Sequence, residues 1–231
     1  MSADRRGVPH AHHIRVQRTA RYYTLGGGSF SPRAVWIVLH GHGQLGATFV
    51  QYFADLADDD SLIVAPEALS RYYLVTPESA PAKDRPVGAT WMTREDRASE
   101  ISDYVEYLDA VYEDVAASPA RDGAQVNVIG FSQGAATATR WVTHGRSHID
   151  RLVVWGGLLP PDTDLSRGPA SLRGARLTLV LGTRDHYVTG AMLSAEQNRL
   201  DSAGVEYDTI EFEGGHVVSR SVFERLRGGA G

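Results

Sequence analysis

The stretch VNVIGFSQGAATAT, Val126 to Thr139, decides how this chain is read. Its first residues form a β-branched apolar run suited to a buried strand, and its last five are the small residues of a closely packed helix. Gly130 and Gly134 stand two positions either side of Ser132. G-x-S-x-G between a strand and a helix is the pattern of a nucleophile elbow. The serine occupies a tight turn with strained backbone angles, which leaves no room for side chains at the flanking glycines, and its hydroxyl projects above the sheet. The positive end of the following helix favours an anion developing there. A bare pentapeptide of this type also occurs as a turn with a capping serine. The strand–turn–helix setting is what gives it weight.

A serine nucleophile needs a base, and the base needs an acid to orient it. With an elbow of this kind the chain order is serine, acid, histidine. Downstream, LGTRD (Leu181 to Asp185) puts a carboxylate just past a buried strand, and GGH (Gly214 to His216) puts a histidine just past the last strand. Both fall at the carboxyl ends of strands, the edge where open α/β sheets build their sites. The expected triad is Ser132, Asp185 and His216. Asp162 and Asp164, after the preceding strand, are rivals for the acid. His186 breaks the expected order, and His144 and His148 suit a helix end and a loop.

Outward from the elbow, short apolar runs alternate with longer amphipathic stretches, the pattern of an α/β sheet. Strands are expected at Ala34 to His40, Ser61 to Ala65, Gln125 to Gly130, Arg151 to Trp155, Arg176 to Leu181 and Val205 to Phe212. Ile14 to Leu25 reads as two more, closed by a turn at Gly26, Gly27 and Gly28. Helices are expected at Ala47 to Asp58, Arg94 to Ala117, Ala135 to His144, Thr189 to Ala203 and Val217 to Leu226. The sum is a mostly parallel sheet of about eight strands with helices on both faces. No Pro/Ser linker divides residues 1–231, so one domain is expected.

Residues 66–91 are too long for an ordinary connection and hold Pro66, Pro77, Pro81 and Pro86. Long loops inside domains are often functional. With Tyr72, Tyr73, Leu74 and Trp91 the segment suits a lid or pocket wall. The first buried strand ends in HGHGQ, His40 to Gln44, where close backbone approach lets an amide meet a carbonyl oxygen. The N–H groups of His42 and Gln133 are the expected oxyanion donors. His40 and His42 share a strand face, but no third ligand has suitable spacing, and no metal is expected.

Composition narrows the field further. The chain has 231 residues, a net charge of −5 and no cysteine. Disulfides, thiolate metal sites and cysteine nucleophiles are excluded. Its basic residues are scattered arginines, with Lys83 the only lysine, so no nucleic-acid partner is expected. His10, His12 and His13 form a short tract suited to a solvated segment. Neither a signal peptide nor an apolar run long enough to cross a membrane is evident, so the expectation is a cytoplasmic protein without a stable membrane anchor.

The chain resembles the α/β-hydrolases of the phospholipase/carboxylesterase family, which includes the acyl-protein thioesterases. The resemblance rests on LHGHG (Leu39 to Gly43), GFSQG (Gly130 to Gly134), WGGLLP (Trp155 to Pro160), LGTRDHYV (Leu181 to Val188) and GGH (Gly214 to His216). It departs from the family's usual pattern at Gln44, Ala135 and Gly156. The resemblance implies the α/β-hydrolase fold, the same triad and oxyanion donors, and no cofactor. The expected activity is hydrolysis of short- to medium-chain carboxylic esters, small-molecule substrates, through an acyl-enzyme. The alternatives are an acyl thioesterase or lysophospholipase with the same triad, or a silent scaffold that binds a ligand. Trp91, Leu158, Leu159, Val188, Tyr72 and Tyr73 are the candidate pocket residues, each equally readable as core or lid packing. The oligomeric state is left open.

Overall fold

The run AVWIVL forms strand β2, Ala34–Leu39, and its side chains alternate between two separate cores. Val35, Ile37 and Leu39 face one, while Trp36 and Val38 face the other. This is the behaviour of a strand covered on both sides, and it explains why the run carries no polar residue. The computed structural model describes residues 10–27, 32–74, 81–116 and 123–228.

Around β2 the sheet adds β1 (Tyr22–Gly26), β3 (Ser61–Pro66), β6 (Gln125–Phe131), β7 (Arg151–Trp155), β8 (Arg176–Gly182) and β9 (Tyr207–Phe212). A separate two-stranded hairpin is made by β4 (Ser70–Tyr73) and β5 (Val87–Thr90). The main sheet runs β1-β3-β2-β6-β7-β8-β9, with β1 antiparallel to β3 and every other pair parallel. One core lies under α2 (Arg97–Ala116), α3 (Gln133–His144) and α4 (Gly190–Ser202), with Tyr104, Leu108, Trp141 and Leu200 fully enclosed. The other lies under α1 (Gly46–Phe49), the 3-10 turn Val50–Leu56 and α5 (Arg220–Gly228), built on Phe49, Phe53 and Phe223. Helices therefore cover both faces, and each large apolar side chain so enclosed contributes about 1.5–3 kcal/mol.

Two elements differ from expectation. The opening pair of strands is a single strand, β1, with residues 10–21 outside any strand. Ile14 and Val16 are 84% and 76% exposed, so their alternation finds no apolar face to lie on. That segment is tied to α2 by charged contacts instead, His13 to Asp96 at 3.0 Å and Arg15 to Glu106 at 2.5 Å. The glycine turn holds Gly26 and Gly27 at φ of +73° and +71°, and Gly27 N–H donates to Asp58 O and Ser61 O. Gly28 lies outside the described residues. The helix expected at Ala47 to Asp58 is one α-turn followed by a 3-10 helix. Val50, Phe53 and Leu56 are all buried at three-residue spacing, which suits three residues per turn.

The register brings the catalytic candidates to one edge. Leu39 pairs with Gly130, Phe131 with Trp155, Trp155 with Val180 and Gly182 with Phe212. The loops that follow β2, β6, β8 and β9 thus leave the sheet side by side, and they hold His42, Ser132, Asp185 and His216. No helix among the described residues is long and apolar enough to cross a membrane.

Candidate active site

Ser132 sits between β6 and α3 with φ 55° and ψ −117°, a conformation that costs a non-glycine residue about 1–3 kcal/mol. The surroundings hold it there. Ser132 N–H donates to Trp155 O at 2.9 Å, and Ser132 O accepts from Ala135 N–H at 3.0 Å. A Cβ on Gly130 would meet Gly134 O at 2.2 Å, and one on Gly134 would meet Leu39 O at 2.2 Å. The glycine spacing is therefore a packing requirement of the turn itself.

Asp185 follows β8 in a turn closed by its own N–H on Gly182 O at 3.0 Å. Its Oδ1 accepts from Tyr187 N–H at 2.8 Å and Val188 N–H at 3.1 Å. Its Oδ2 lies 2.7 Å from His216 Nδ1, with the carboxylate side chain 1% exposed. A carboxylate acceptor places the neutral imidazole's proton on Nδ1, leaving Nε2 as the basic nitrogen. The His216 ring packs against Phe131 at 4.8 Å and Tyr187 at 4.6 Å between centroids, which sets it beside the elbow. Among the described residues no hydrogen bond joins Ser132 Oγ to His216; such bonds often tighten only around bound substrate.

Gln133 opens α3, so its N–H has no acceptor within the helix. His42 lies in the loop after β2, braced by Gly41 N–H on Gln44 Oε1 at 2.8 Å and Gly43 N–H on Ala89 O at 2.8 Å. His40 is fully buried. Its Nε2 accepts from Ala68 N–H at 3.0 Å, so Nδ1 carries the proton and donates to Gly41 O at 2.8 Å. Burial holds the His40 imidazole below its ordinary pKa, and both ring nitrogens are engaged.

The rival acids are otherwise occupied. Asp162 is bonded to Arg140 at 2.8 Å and Arg97 at 3.1 Å, and the Arg140 hydrogen bond holds its carboxyl well below the usual range. Asp164 accepts from Ser166 N–H at 2.9 Å. His186 is exposed, His144 closes α3, and His148 pairs with Asp150 at 3.3 Å.

The candidate pocket residues separate by burial. Trp91, Leu159 and Val188 belong to the core, and Trp91 Nε1–H donates to His40 O at 2.8 Å. Leu158 is half-buried against that core. Residues 66–91 supply the β4–β5 hairpin, with residues 75–80 outside the described set. Tyr72 reaches His42 Nε2 at 2.6 Å, whereas Tyr73, next along β4, is 59% exposed on the opposite face. Thr90 and Tyr187, which touch His42 and His216, were not expected from sequence. Tyr187 could have been suspected two residues after Asp185; Thr90 carries no local signal.

This arrangement coincides with a family match. The Phospholipase/Carboxylesterase family model matches residues 28–227, and the chain belongs to that family of α/β-hydrolases. Among solved structures it is similar to esterase PE8, at 20% identity and TM-score 0.61, covering 91% of this chain and 97% of that one. Acyl-protein thioesterase 2 of Zea mays is similar at 18% identity and TM-score 0.62, covering 90% and 96%. A carboxylesterase of Bacillus cereus is similar at 15% identity and TM-score 0.64, covering 90% and 92%. At these identities the structures testify to the shared fold. No curated protein matches the sequence.

Proposed function

We propose that this chain, acting as one domain, is a serine carboxylesterase that cleaves small carboxylic esters by two-step acyl transfer. The observation that carries the reading is the 2.7 Å bond from His216 Nδ1 to a buried Asp185, beside a serine in a strained turn. Simple ligand binding would require none of the three in that order. His216 Nε2 takes the Ser132 proton as Oγ attacks the ester carbonyl, and Asp185 stabilises the imidazolium that results. The tetrahedral oxyanion is received by the N–H groups of His42 and Gln133. His216 then gives its proton to the leaving alcohol, and water releases the acid by the reverse sequence. No cofactor takes part in these steps.

The apolar side chains we assign to the acyl pocket are the half-buried Leu158 and Leu74, whose Cδ2 stands 3.5 Å from where a Gly43 Cβ would be. Short- to medium-chain acyl groups are the substrates we assign to it. The same machinery would attack a thioester, and the likeness to a plant acyl-protein thioesterase makes that the second reading.

The test is a series of p-nitrophenyl esters from acetate to palmitate, alongside acyl thioesters, with Ser132→Ala as the blank and a fluorophosphonate probe for Ser132. Serine-dependent turnover peaking at short or medium oxygen esters supports the proposal. A preference for thioesters moves the activity to the second reading, and the absence of both turnover and labelling leaves a silent scaffold.

A further inference from the structure

The two residues whose amides are assigned to the oxyanion have side chains that meet on a single hydroxyl. Thr90 Oγ1 lies 3.2 Å from His42 Nδ1 and 3.0 Å from Gln133 Nε2. One proton assignment satisfies the whole cluster. Tyr72 O–H donates to His42 Nε2 at 2.6 Å, and His42 Nδ1–H donates to Thr90 Oγ1. Gln133 Nε2–H₂ donates to Thr90 Oγ1 and to Met92 O at 2.8 Å, while Gln133 Oε1 accepts from Trp91 N–H at 3.1 Å. Thr90 then gives its own proton to Met92 O at 2.9 Å. The hydroxyl makes three bonds, its full complement.

Thr90 is itself fixed. It is 4% exposed at the end of β5, and the residue before it bonds both ways with the loop that carries His42: Gly43 N–H to Ala89 O at 2.8 Å, and Ala89 N–H to Gln44 O at 3.2 Å. Gly88 packs so closely that a Cβ there would stand 2.4 Å from Gly43 O. A valine would fill the volume of Thr90 equally well, so packing alone does not explain a hydroxyl at this place. What the hydroxyl adds is a fixed distance between two side chains whose backbones belong to different segments, the loop after β2 and the first turn of α3.

We propose that Thr90 is a positioning residue that holds the His42 and Gln133 amides at the separation an oxyanion requires, with Tyr72 locking the His42 ring from its other nitrogen. This rests on the esterase reading of Ser132. The oxyanion forms only in the transition state, so misalignment of its donors lowers kcat and leaves KM largely untouched. A residue that merely fastened the hairpin would change the melting temperature without that split.

The test compares Thr90→Val, Thr90→Ser and Tyr72→Phe for kcat and KM on a p-nitrophenyl ester, for melting temperature, and for binding of an alkyl boronic acid, which forms a tetrahedral adduct with serine. Thr90→Val is expected to lower kcat about ten- to a hundredfold and weaken the boronate by a similar factor, with KM changed about twofold or less. Thr90→Ser restores most of the loss, and Tyr72→Phe produces a smaller fall in kcat. Should Thr90→Val prove unstable, Thr90→Ala against Thr90→Ser gives the same comparison. Unchanged kcat in the hydroxyl-free variant, or a loss that serine does not restore, overturns the role of Thr90 alone. Wild-type protein without Ser132-dependent turnover overturns the esterase reading, and this inference falls with it.

Discussion

The carbonyl oxygen of Gly134 occupies the space where a Cβ on Gly130 would stand, at 2.2 Å from it. The elbow is closed to that degree, and neither backbone atom is the far end of a flexible side chain that could turn aside. Gly130→Ala must therefore open the turn that presents Ser132. Overpacking of this kind costs about 1–3 kcal/mol, which for a chain of this size is about 2–12 °C in melting temperature. Hydrolysis should fall with it by tenfold or more, on the order expected for a misplaced reacting group. A thermal scan and a rate measurement check this; wild-type values for both would mean the turn is looser than described.

Asp185 and Asp162 make a paired test of the acid. Asp185→Asn replaces the acceptor for His216 Nδ1–H and should lower kcat on the order of 10³–10⁴-fold. Asp162→Asn weakens the bonds to Arg140 and Arg97 and should lower the melting temperature while leaving kcat within about threefold, since it leaves the Arg140 guanidinium, 6% exposed, without its carboxylate and touches neither Ser132 nor His216. Steady-state rates of the two variants separate the roles. Comparable losses in kcat from both would reopen the assignment.

His40 sets a pH dependence of stability. Burial lowers its pKa below the ordinary imidazole value, so the unfolded chain binds a proton there before the folded chain does. Its contribution is complete above about pH 6.5 and declines as pH falls towards the depressed folded value, by at most about 1.4 kcal/mol per pH unit. The melting temperature should drop between pH 7 and pH 5, and more steeply than in His40→Gln. Equal slopes in the two proteins would assign the acid sensitivity to other groups.

Much of the fold could be read because β2, β3, β6, β7 and β8 are buried on both faces, which leaves nearly unbroken apolar runs in the sequence. The candidates Ser132 and Asp185 were equally legible, since each follows such a run, and His216 was found by its place after the alternating outer strand β9 and by the order of the three. The N-terminal segment was not, because Ile14 and Val16 alternate as strand residues do yet lie outside any strand with their side chains exposed. The 3-10 helix hid for a related reason, as its buried residues recur every three positions inside a helical stretch. The convergence on Thr90 was invisible. His42 is 48 residues away and Gln133 is 43, and threonine at a strand end has an ordinary local explanation.

The attachment of β5 to the loop after β2 bears on how such a protein could be re-engineered. Hairpin grafting is an obvious route to a new substrate range, yet here the graft would carry away Ala89 and Thr90, which bond to the loop carrying His42 and to Gln133. Selectivity and turnover would then change together. Point changes at Leu74, whose side chain reaches towards Gly43, offer a way to alter that surface while the braces stay in place.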